Sequence, residues 1–424
     1  LCIRDRIGLA CTIIWPHGPI SFKTQPRHDR GMRDSSEWLP TAYRSHTIGQ
    51  VVTNGGDMVG SQVTLAGYAE SVRGRGGVCF VMLRDGTGRI QAFLKRDAMD
   101  ESVFESIQSS SRESTISVTG VVAQKRPPKT PEGVSPPPPE YEVSVSSAEI
   151  LALADAPLPV GVVDDVNVGL DIRLDNRHLD VRRAHVNAMF QLRSKVLQYG
   201  REHLIEEGFS EMNSPKIIAS ASEGGTNLFP MMYFDTPAYL SQSPQLYKQL
   251  AVLGGLERVF EIGPAFRAEK HDTYRHLNEF VSFDIEAAWC DDEDVMGVLE
   301  RMIHSIWSRV AADDQDLVDI INAYRHTQGL ESVVVEVPEL PFPRIPYDDA
   351  IEIVKQGGGD IEWGDDIESH HCDLIASKYP GFHFIPRWPM SMKPFYIHHK
   401  EGELGSTGSR LEPRRPRLCC KMNF

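Results

Sequence analysis

The chain has 424 residues, which is enough for two or three domains, and its composition, 41% hydrophobic and 24% charged, is typical of a globular protein. No apolar run reaches the roughly 18 residues that a membrane-spanning helix needs, so a helical integral membrane protein is excluded. The net charge of −15 argues against nucleic-acid binding through overall charge, and any basic surface therefore has to be local.

The N-terminal part, residues 1–45, is predicted to be a leader. It contains Met32, an alternative start that would make the preceding residues an over-extended reading frame. Its apolar string LACTIIW is too short and too interrupted for a signal peptide. The seven cysteines are scattered without a CxxC pair, which is typical of a reduced, cytoplasmic protein.

Residues 46–150 are predicted to form an OB-type β-barrel. Apolar and polar residues alternate in SQVTLAGYAESV, VCFVMLRD, RIQAFLK, STISVTGVVAQK and YEVSVSSAEILAL, with a helix at 98–110. Five strands and one helix in about 100 residues suit a small Greek-key barrel. Such barrels bind single-stranded nucleic acid through aromatic side chains over a basic groove, and residues 70–95 hold five basic residues against two acidic ones. The alternative is a solvated barrel face.

Residues 151–185 are predicted to be a hinge that leads into a second domain, residues 186–404. The predicted elements of this domain are a helix from Val186 to Glu207, one strand over GFSEMNSPKIIA, a helix from Ser243-Pro244, strands at Arg258–Glu269 and Phe280–Trp289, a helix at 291–312 capped by Asp291 and Asp292, and a short helix beginning near Pro346.

The two strands between 258 and 289 concentrate charge around the loop that joins them. This hairpin carries Arg267, Glu269, Arg275, His276 and Glu279. A strand pair does not need so many charges in one place, whereas an anionic ligand does. The alternative for each residue is a surface ion pair.

Several strings in this order resemble one known family. They are LRDGTGRIQ, RLDNRHLDVRR, GFSEMNSPKI with SEGGTNLF, YLSQSPQLYKQ, and FRAEKHDTYRHLNEFVSFDIE. From about residue 46 to about residue 404, the chain resembles the class II aminoacyl-tRNA synthetases of the aspartate/asparagine/lysine subgroup, and within it the archaeal and eukaryotic aspartyl type. The resemblance implies an α+β fold, in which an OB-type barrel precedes a class II antiparallel sheet flanked by helices. It also implies ATP-dependent attachment of L-aspartate to tRNA(Asp), through an aspartyl-adenylate.

The resemblance assigns an ATP site to the hairpin. Arg267 would contact the α-phosphate, since a guanidinium gives bidentate contacts to phosphate oxygens. Glu269 and Phe280 would hold the adenine by hydrogen bonds and stacking, and Arg275 and His276 would cover the phosphates. Arg267 is therefore the candidate catalytic residue, because adenylate formation needs positioning and charge stabilisation more than covalent catalysis.

The resemblance also assigns an aspartate pocket. Lys248 would neutralise the side-chain carboxylate of the substrate, and it is the main sign of aspartate specificity, because asparaginyl enzymes usually carry an uncharged residue there. Ser243 and Gln245 would line the pocket, and Glu223 and Asp284 would hold the substrate ammonium. Asparaginyl-tRNA synthetase is the alternative with a different substrate.

In the barrel, the resemblance assigns anticodon binding to Phe80, which would stack on a base, and to Gln91, which would read the central uridine. Phe80 could equally be a core aromatic. Charging of tRNA(Asn) in addition to tRNA(Asp) is left open. It would depend on the region of Tyr68 and Pro127-Pro128, where the prolines favour relaxed specificity. Pro215 lies in the motif that builds the family's dimer interface, so a homodimer is implied.

The chain departs from the family pattern after KPFYIHHKEGEL. The resemblance implies ATP with Mg²⁺, but the family's magnesium-binding acids and its last two arginine-bearing segments are not found, and residues 405–424 are predicted to be an aberrant, frameshifted tail. We expect the sheet to lack its last strands and the chain to be impaired. A third hypothesis is therefore a non-catalytic tRNA-binding fragment. His370, His371 and Cys372 are adjacent in sequence and cannot all face one ion, so no metal site is predicted.

Overall fold

The structure, a computed structural model, describes residues 40–126, 138–163, 168–220, 228–270, 277–392 and 415–418. The chain divides into two compact units between Pro159 and Val160, inside the predicted hinge.

The first unit is the predicted closed barrel. Its strands are β1 (Gln62–Arg75), β2 (Val78–Arg84), β3 (Arg89–Lys95), β4 (Thr115–Gln124) and β5 (Tyr141–Ala152), in the order β1-β2-β3-β5-β4. Helices α1 (Ile48–Thr53) and α2 (Gly55–Met58) precede the barrel, and α3 (Glu101–Gln108) lies between β3 and β4. Alternate residues of each strand point inward, and the side chains of Val63, Leu65, Val81, Leu83 and Leu94 fill the core.

The second unit begins with helices and two small sheets. In chain order its first elements are α4 (Leu170–Asp175), α5 (Arg177–Asp180), α6 (Ala184–Glu206), β6 (Ser210–Glu211), β7 (Ile217–Ile218), β8 (Pro230–Tyr233), β9 (Thr236–Leu240) and α7 (Gln245–Ala251). A π-helical turn, Val252–Leu256, extends α7. Helix α6 confirms the predicted long helix, and Gly208 follows it with φ 84°, a left-handed conformation that suits glycine.

The rest of the unit is built on the hairpin of β10 (Arg258–Phe266) and β11 (Glu279–Ala287). The later elements are α8 (Asp292–Asp313), α9 (Gln315–Thr327), α10 (Tyr347–Gln356), α11 (Ser369–Lys378), β12 (Phe384–Trp388) and β13 (Arg415–Leu418). Strand β10 pairs antiparallel with β11 and parallel with β6. Tyr199, Phe260, Met302 and Ile306 bring α6, β10 and α8 into one core.

The prediction of a single strand over GFSEMNSPKIIA was wrong. The segment forms β6 and β7, which belong to different sheets. Between them Met212 still donates its N–H to Phe260, but the Ser214 N–H turns to the carboxylate of Glu261, and Pro215 has no N–H to donate. The ladder therefore stops at these residues.

Near the C-terminus, residues 415–418 of the predicted tail form β13, which pairs antiparallel with β12. Of the predicted caps, Asp291 caps α8 by accepting N–H bonds from Glu293 and Asp294, whereas Asp292 is the first helical residue. Pro346 stands directly before α10, as predicted.

Candidate active site

The β10–β11 hairpin presents a row of carboxylates on one face. Asp284 lies directly opposite Glu261, and Glu286 lies two residues further along β11. Because side chains alternate across a strand and opposite residues share a face, these three carboxylates point to the same side of the sheet. This face is the one that helix α7 covers with Lys248.

Lys248 is the cation at the centre of this face. Its side chain is only 2% exposed. Its ammonium donates to the Ile285 carbonyl at 2.9 Å and lies 3.3 Å from Asp284 Oδ1 and 3.5 Å from Glu286 Oε2. Pro244 stands directly before α7, and Lys248, the fourth residue of this helix, reaches β11 from there. The structure therefore brings Lys248 and Asp284 together, as the predicted aspartate pocket requires.

Glu286 belongs to this site, although the sequence interpretation did not include it. Its Oε2 atom accepts a 3.0 Å hydrogen bond from Gln245 Nε2 and also faces Lys248. The alternation in Asp284-Ile285-Glu286 could have indicated that both acids share a face. The contact with Gln245 depends on how α7 packs, which no local pattern reveals.

The segment before α7 is buried and held by its own polar groups. Ser241 donates its hydroxyl to the Ser243 carbonyl, and the Ser243 hydroxyl accepts the Gln245 N–H at 3.3 Å. On the facing strand, Ser282 donates to Asp284 Oδ2 at 2.6 Å. Ser243 and Gln245 thus lie at the start of α7, and Gln245 and Lys248 connect this helix to the carboxylates of Glu286 and Asp284 on β11.

Glu261 is the buried acid of the row, and two partners compensate its charge. One carboxylate oxygen accepts the Ser214 N–H at 2.8 Å, and the other is bound by the Lys216 ammonium. A buried carboxylate needs such partners, because an unpaired charge in the interior is costly. Glu261 thereby fastens the segment that contains Pro215 to the candidate site.

Three of the predicted ATP-binding residues, Arg267, Glu269 and Phe280, lie at the loop end of the hairpin. The Arg267 guanidinium lies 5.5 Å from the centre of the Phe280 ring. The Asn278 amide donates to the carbonyls of Arg267 and Glu269, at 2.9 and 3.2 Å, and so fixes the backbone at the start of the loop. Arg267 Nε is shielded from solvent and has no hydrogen-bond partner among the described residues. A buried donor of this kind suits an anion that binds from outside the chain.

Three predicted site residues, Glu223, Arg275 and His276, lie outside the described residues, so their positions are not compared with the site. Within the described part of the chain, no three His, Cys, Asp or Glu side chains come together as a metal site. The Mg²⁺ that the family resemblance implies is assigned no ligands among these residues and no chemical step. None of the described helices is both long and apolar enough to cross a membrane.

The barrel carries the predicted base-stacking aromatic on its outside. Phe80 is 36% exposed and stands apart from the barrel core, so the core alternative does not hold. It stacks on Phe93, with ring centres 5.1 Å apart, and the Lys95 ammonium lies 5.6 Å from the Phe93 ring. Gln91 is on the same face and donates to Glu142 at 2.7 Å. Phe93 was missed in the sequence, although its spacing from Gln91 places both on one face.

Comparison with known proteins agrees with this division of the chain. A family model described as "tRNA synthetases class II (D, K and N)" matches residues 169–414, and one described as "OB-fold nucleic acid binding domain" matches residues 63–151. An aspartate–tRNA(Asp/Asn) ligase of Archaeoglobus fulgidus is 46% identical over 340 residues, which cover 80% of this chain and 75% of the relative.

Solved structures with the same fold include enzymes for both amino acids. The asparaginyl-tRNA synthetase of Pyrococcus horikoshii with asparaginyl-adenylate has a TM-score of 0.69 and 31% identity, and covers 81% of this chain and 75% of that one. The aspartyl-tRNA synthetase of Entamoeba histolytica has a TM-score of 0.66 and 27% identity, and the match covers 89% of this chain and 76% of that one.

Proposed function

Because the chain belongs to the class II tRNA synthetases of the D, K and N group, we propose that it attaches L-aspartate to tRNA(Asp) at the expense of ATP. The observation that carries the choice of aspartate is the buried ammonium of Lys248 between α7 and β11. A side-chain carboxylate needs a cation in its pocket, whereas the neutral amide of asparagine does not. The 46% identity to an aspartate ligase supports the same choice over the asparaginyl alternative.

In the proposed reaction, the pocket holds aspartate by both of its charged ends. Lys248 binds the side-chain carboxylate, Asp284 accepts the ammonium, and Ser243 and Gln245 line the entrance. Glu223, in the segment outside the described residues, is proposed as a second acceptor of the ammonium. An amino acid held at both ends presents its α-carboxylate in one orientation, which lowers the entropic cost of the first step.

The first step joins this α-carboxylate to ATP. A carboxylate oxygen attacks the α-phosphorus, a new oxygen–phosphorus bond forms, and pyrophosphate leaves with the electrons of the broken bond. Arg267 is proposed to stabilise the charge on the α-phosphate, with Glu269 and Phe280 holding the adenine. Arg275 and His276 are proposed to cover the other phosphates. In the second step a terminal ribose hydroxyl of the tRNA attacks the acyl carbon and AMP leaves.

The barrel is proposed to bind the anticodon of tRNA(Asp). Phe80 offers an exposed aromatic face for a base, and Gln91 stands beside it on the same side of the barrel. Charging of tRNA(Asn) is proposed to depend on the region around Tyr68. The ring of Tyr68 lies 5.7 Å from the Arg84 guanidinium. Pro127 and Pro128, which favour relaxed specificity, lie outside the described residues.

We further propose a homodimer in the cytoplasm. The dimer is supported by the family motif around Pro215 and by apolar side chains exposed on the second unit. These are Ile217, Phe234, Leu246, Leu250 and Leu253. The location is supported by Cys79, Cys290 and Cys372, which form no disulfide within the described part of the chain.

The test is direct binding of L-aspartate and L-asparagine to the purified chain, followed by ATP–pyrophosphate exchange with each amino acid. Preferential binding of aspartate and aspartate-dependent exchange are expected. Preference for asparagine would establish the alternative substrate. Binding of a tRNA(Asp) transcript without amino-acid binding would instead identify a non-catalytic tRNA-binding protein.

A further inference from the structure

The ammonium of Lys248 is enclosed by oxygen atoms of the protein itself. A lysine ammonium carries three N–H donors. In this structure it faces three oxygens, those of the Ile285 carbonyl at 2.9 Å, Asp284 at 3.3 Å and Glu286 at 3.5 Å. The side chain is 2% exposed, which leaves little room for a further ligand. A substrate carboxylate can therefore reach Lys248 only by replacing one of these oxygens.

Two of the three oxygens are fixed in place. The Ile285 carbonyl belongs to the backbone of β11, which is paired with β10 opposite Phe260. The Asp284 carboxylate is braced by the hydroxyl of Ser282 at 2.6 Å. Neither group can leave without disturbing the strand or the proposed ammonium site.

Glu286 is the partner that can leave. Its contact with Lys248 is the longest of the three, and it also accepts a hydrogen bond from Gln245, a side chain at the start of α7. The Glu286 side chain is 26% exposed, so its carboxylate can turn towards water without being stranded in the interior. The charge that it offers to Lys248 is also the charge that the side chain of aspartate would offer.

We infer that Glu286 occupies Lys248 in place of the substrate's side-chain carboxylate and is displaced when aspartate binds. This inference rests on the proposed function. Aspartate replaces one carboxylate by another, so the lysine stays neutralised throughout. Asparagine cannot do this, because its neutral amide would leave Lys248 without the charge that Glu286 had supplied. Glu286 is therefore a specificity-determining residue that competes with aspartate, but not with asparagine, for Lys248.

The experiment titrates L-aspartate and L-asparagine into the wild-type chain and into Glu286→Gln, by calorimetry. Removing the competing charge should tighten aspartate binding by about tenfold, the size of one charge-assisted contact, and leave asparagine binding within about twofold of the wild type. The matched control is Glu352→Gln, which removes an exposed charge on α10 and should change neither affinity.

A general disturbance of the pocket would shift both amino acids together, so the selective gain for aspartate identifies the competition. Weaker or unchanged aspartate binding in Glu286→Gln would overturn the inference while leaving the proposed function intact. Failure of the wild-type chain to bind aspartate would overturn both. If circular dichroism shows that Glu286→Gln does not fold, Glu286→Asp carries the test. It keeps the charge but draws it back from Lys248, and tighter aspartate binding is again expected.

Discussion

Lys248 is the residue on which the proposed choice of aspartate rests. Replacing it by methionine keeps most of the apolar stem and removes the charge, so Asp284 and Glu286 would face each other without a cation. We expect Lys248→Met to lose about 2–5 kcal/mol of aspartate binding, which is at least about 30-fold in affinity. Calorimetry measures this, with Lys355→Met on α10 as the matched control, since its partner Glu362 lies on the surface. An affinity within about threefold of the wild type would contradict the assignment.

Phe80 makes a prediction for the barrel. Stacking of a base on an aromatic ring contributes about 1–3 kcal/mol, so Phe80→Ala should weaken binding of a tRNA(Asp) transcript by about 5- to 150-fold. Filter binding measures the loss, and Val121→Ala, at an exposed position of β4, is the control. Because Phe80 and Phe93 stack on each other, the double variant should lose less than the sum of the two single losses. Equal binding by Phe80→Ala and Val121→Ala would remove Phe80 from the interface.

At the residue scale, residue type and motif led to the proposed site residues Lys248, Asp284 and Arg267, of which the structure brings Lys248 and Asp284 together. It did not predict Glu286 or Phe93, because their roles depend on neighbours that packing supplies. Glu286 is part of the candidate site because α7 packs against it and Gln245 donates a hydrogen bond to its carboxylate. Phe93 is part of the barrel face because it lies opposite Phe80 on the neighbouring strand.

At the scale of elements, a turn in the barrel illustrates how a local motif fixes a non-local contact. The Asp85 carboxylate accepts N–H bonds from Thr87 and Gly88, at 2.8 and 3.1 Å, and its second oxygen accepts the Ile48 N–H at the start of α1, at 3.0 Å. One side chain thus closes the β2–β3 turn and ties α1 to it.

Asp85→Ala should destabilise the barrel by about 1–3 kcal/mol, because the N–H groups lose their acceptor. Hydrogen exchange should be faster at Ile48 and Gly88 than in the wild type, and the thermal midpoint should fall. Asp97→Ala, an exposed acid after β3, is the control. Unchanged exchange at Ile48 would show that α1 does not depend on this carboxylate.

His383 gives the second unit a dependence on pH. Burial lowers the pKa of His383 below its ordinary value of 6.5, and its Nε2 has no hydrogen-bond partner among the described residues. The folded state therefore keeps this imidazole neutral, whereas the unfolded chain takes up a proton below about pH 6.5. Since the unfolded state binds more protons, stability should fall as the pH drops from about 7 to about 5.

His383→Gln should flatten this fall, because glutamine does not titrate. Denaturant midpoints at the two pH values measure it through tryptophan fluorescence, as Trp307, Trp363 and Trp388 are packed in this unit. His326→Gln, at an exposed position of α9, is the control and should retain the wild-type dependence. Equal losses in wild type and His383→Gln would show that another group titrates.

The strand that was wrongly predicted over GFSEMNSPKIIA shows why some elements escape the sequence. Its apolar and β-branched residues are compatible with a strand. However, the Ser214 N–H donates to the carboxylate of Glu261, which is far away in the chain, instead of to a neighbouring strand. The β10–β11 hairpin and the barrel strands were predictable, because their apolar–polar alternation is strong and most of their strand pairs join neighbours in the chain. A strand broken by a distant acid has no local signal.

At the scale of the whole molecule, the leucines of α7 bear on assembly. Leu246, Leu250 and Leu253 recur at helical spacing, and they follow one face of α7 into the π-helical turn. Yet they are exposed, Leu253 by 84%, so this face does not contribute to the core of the second unit. An apolar stripe of this kind on a soluble surface is typical of an interface between chains.

We therefore expect the wild-type chain to be a dimer and Leu250→Glu to shift it towards monomer, because a charge buried between two copies would lack a partner. Sedimentation equilibrium measures the change, and Val121→Glu, at an exposed barrel position, should leave the dimer intact. A monomeric wild-type chain would refute the homodimer. A Leu250→Glu variant as dimeric as the wild type would keep the homodimer but place its interface away from α7, which leaves the segment around Pro215 as the remaining candidate.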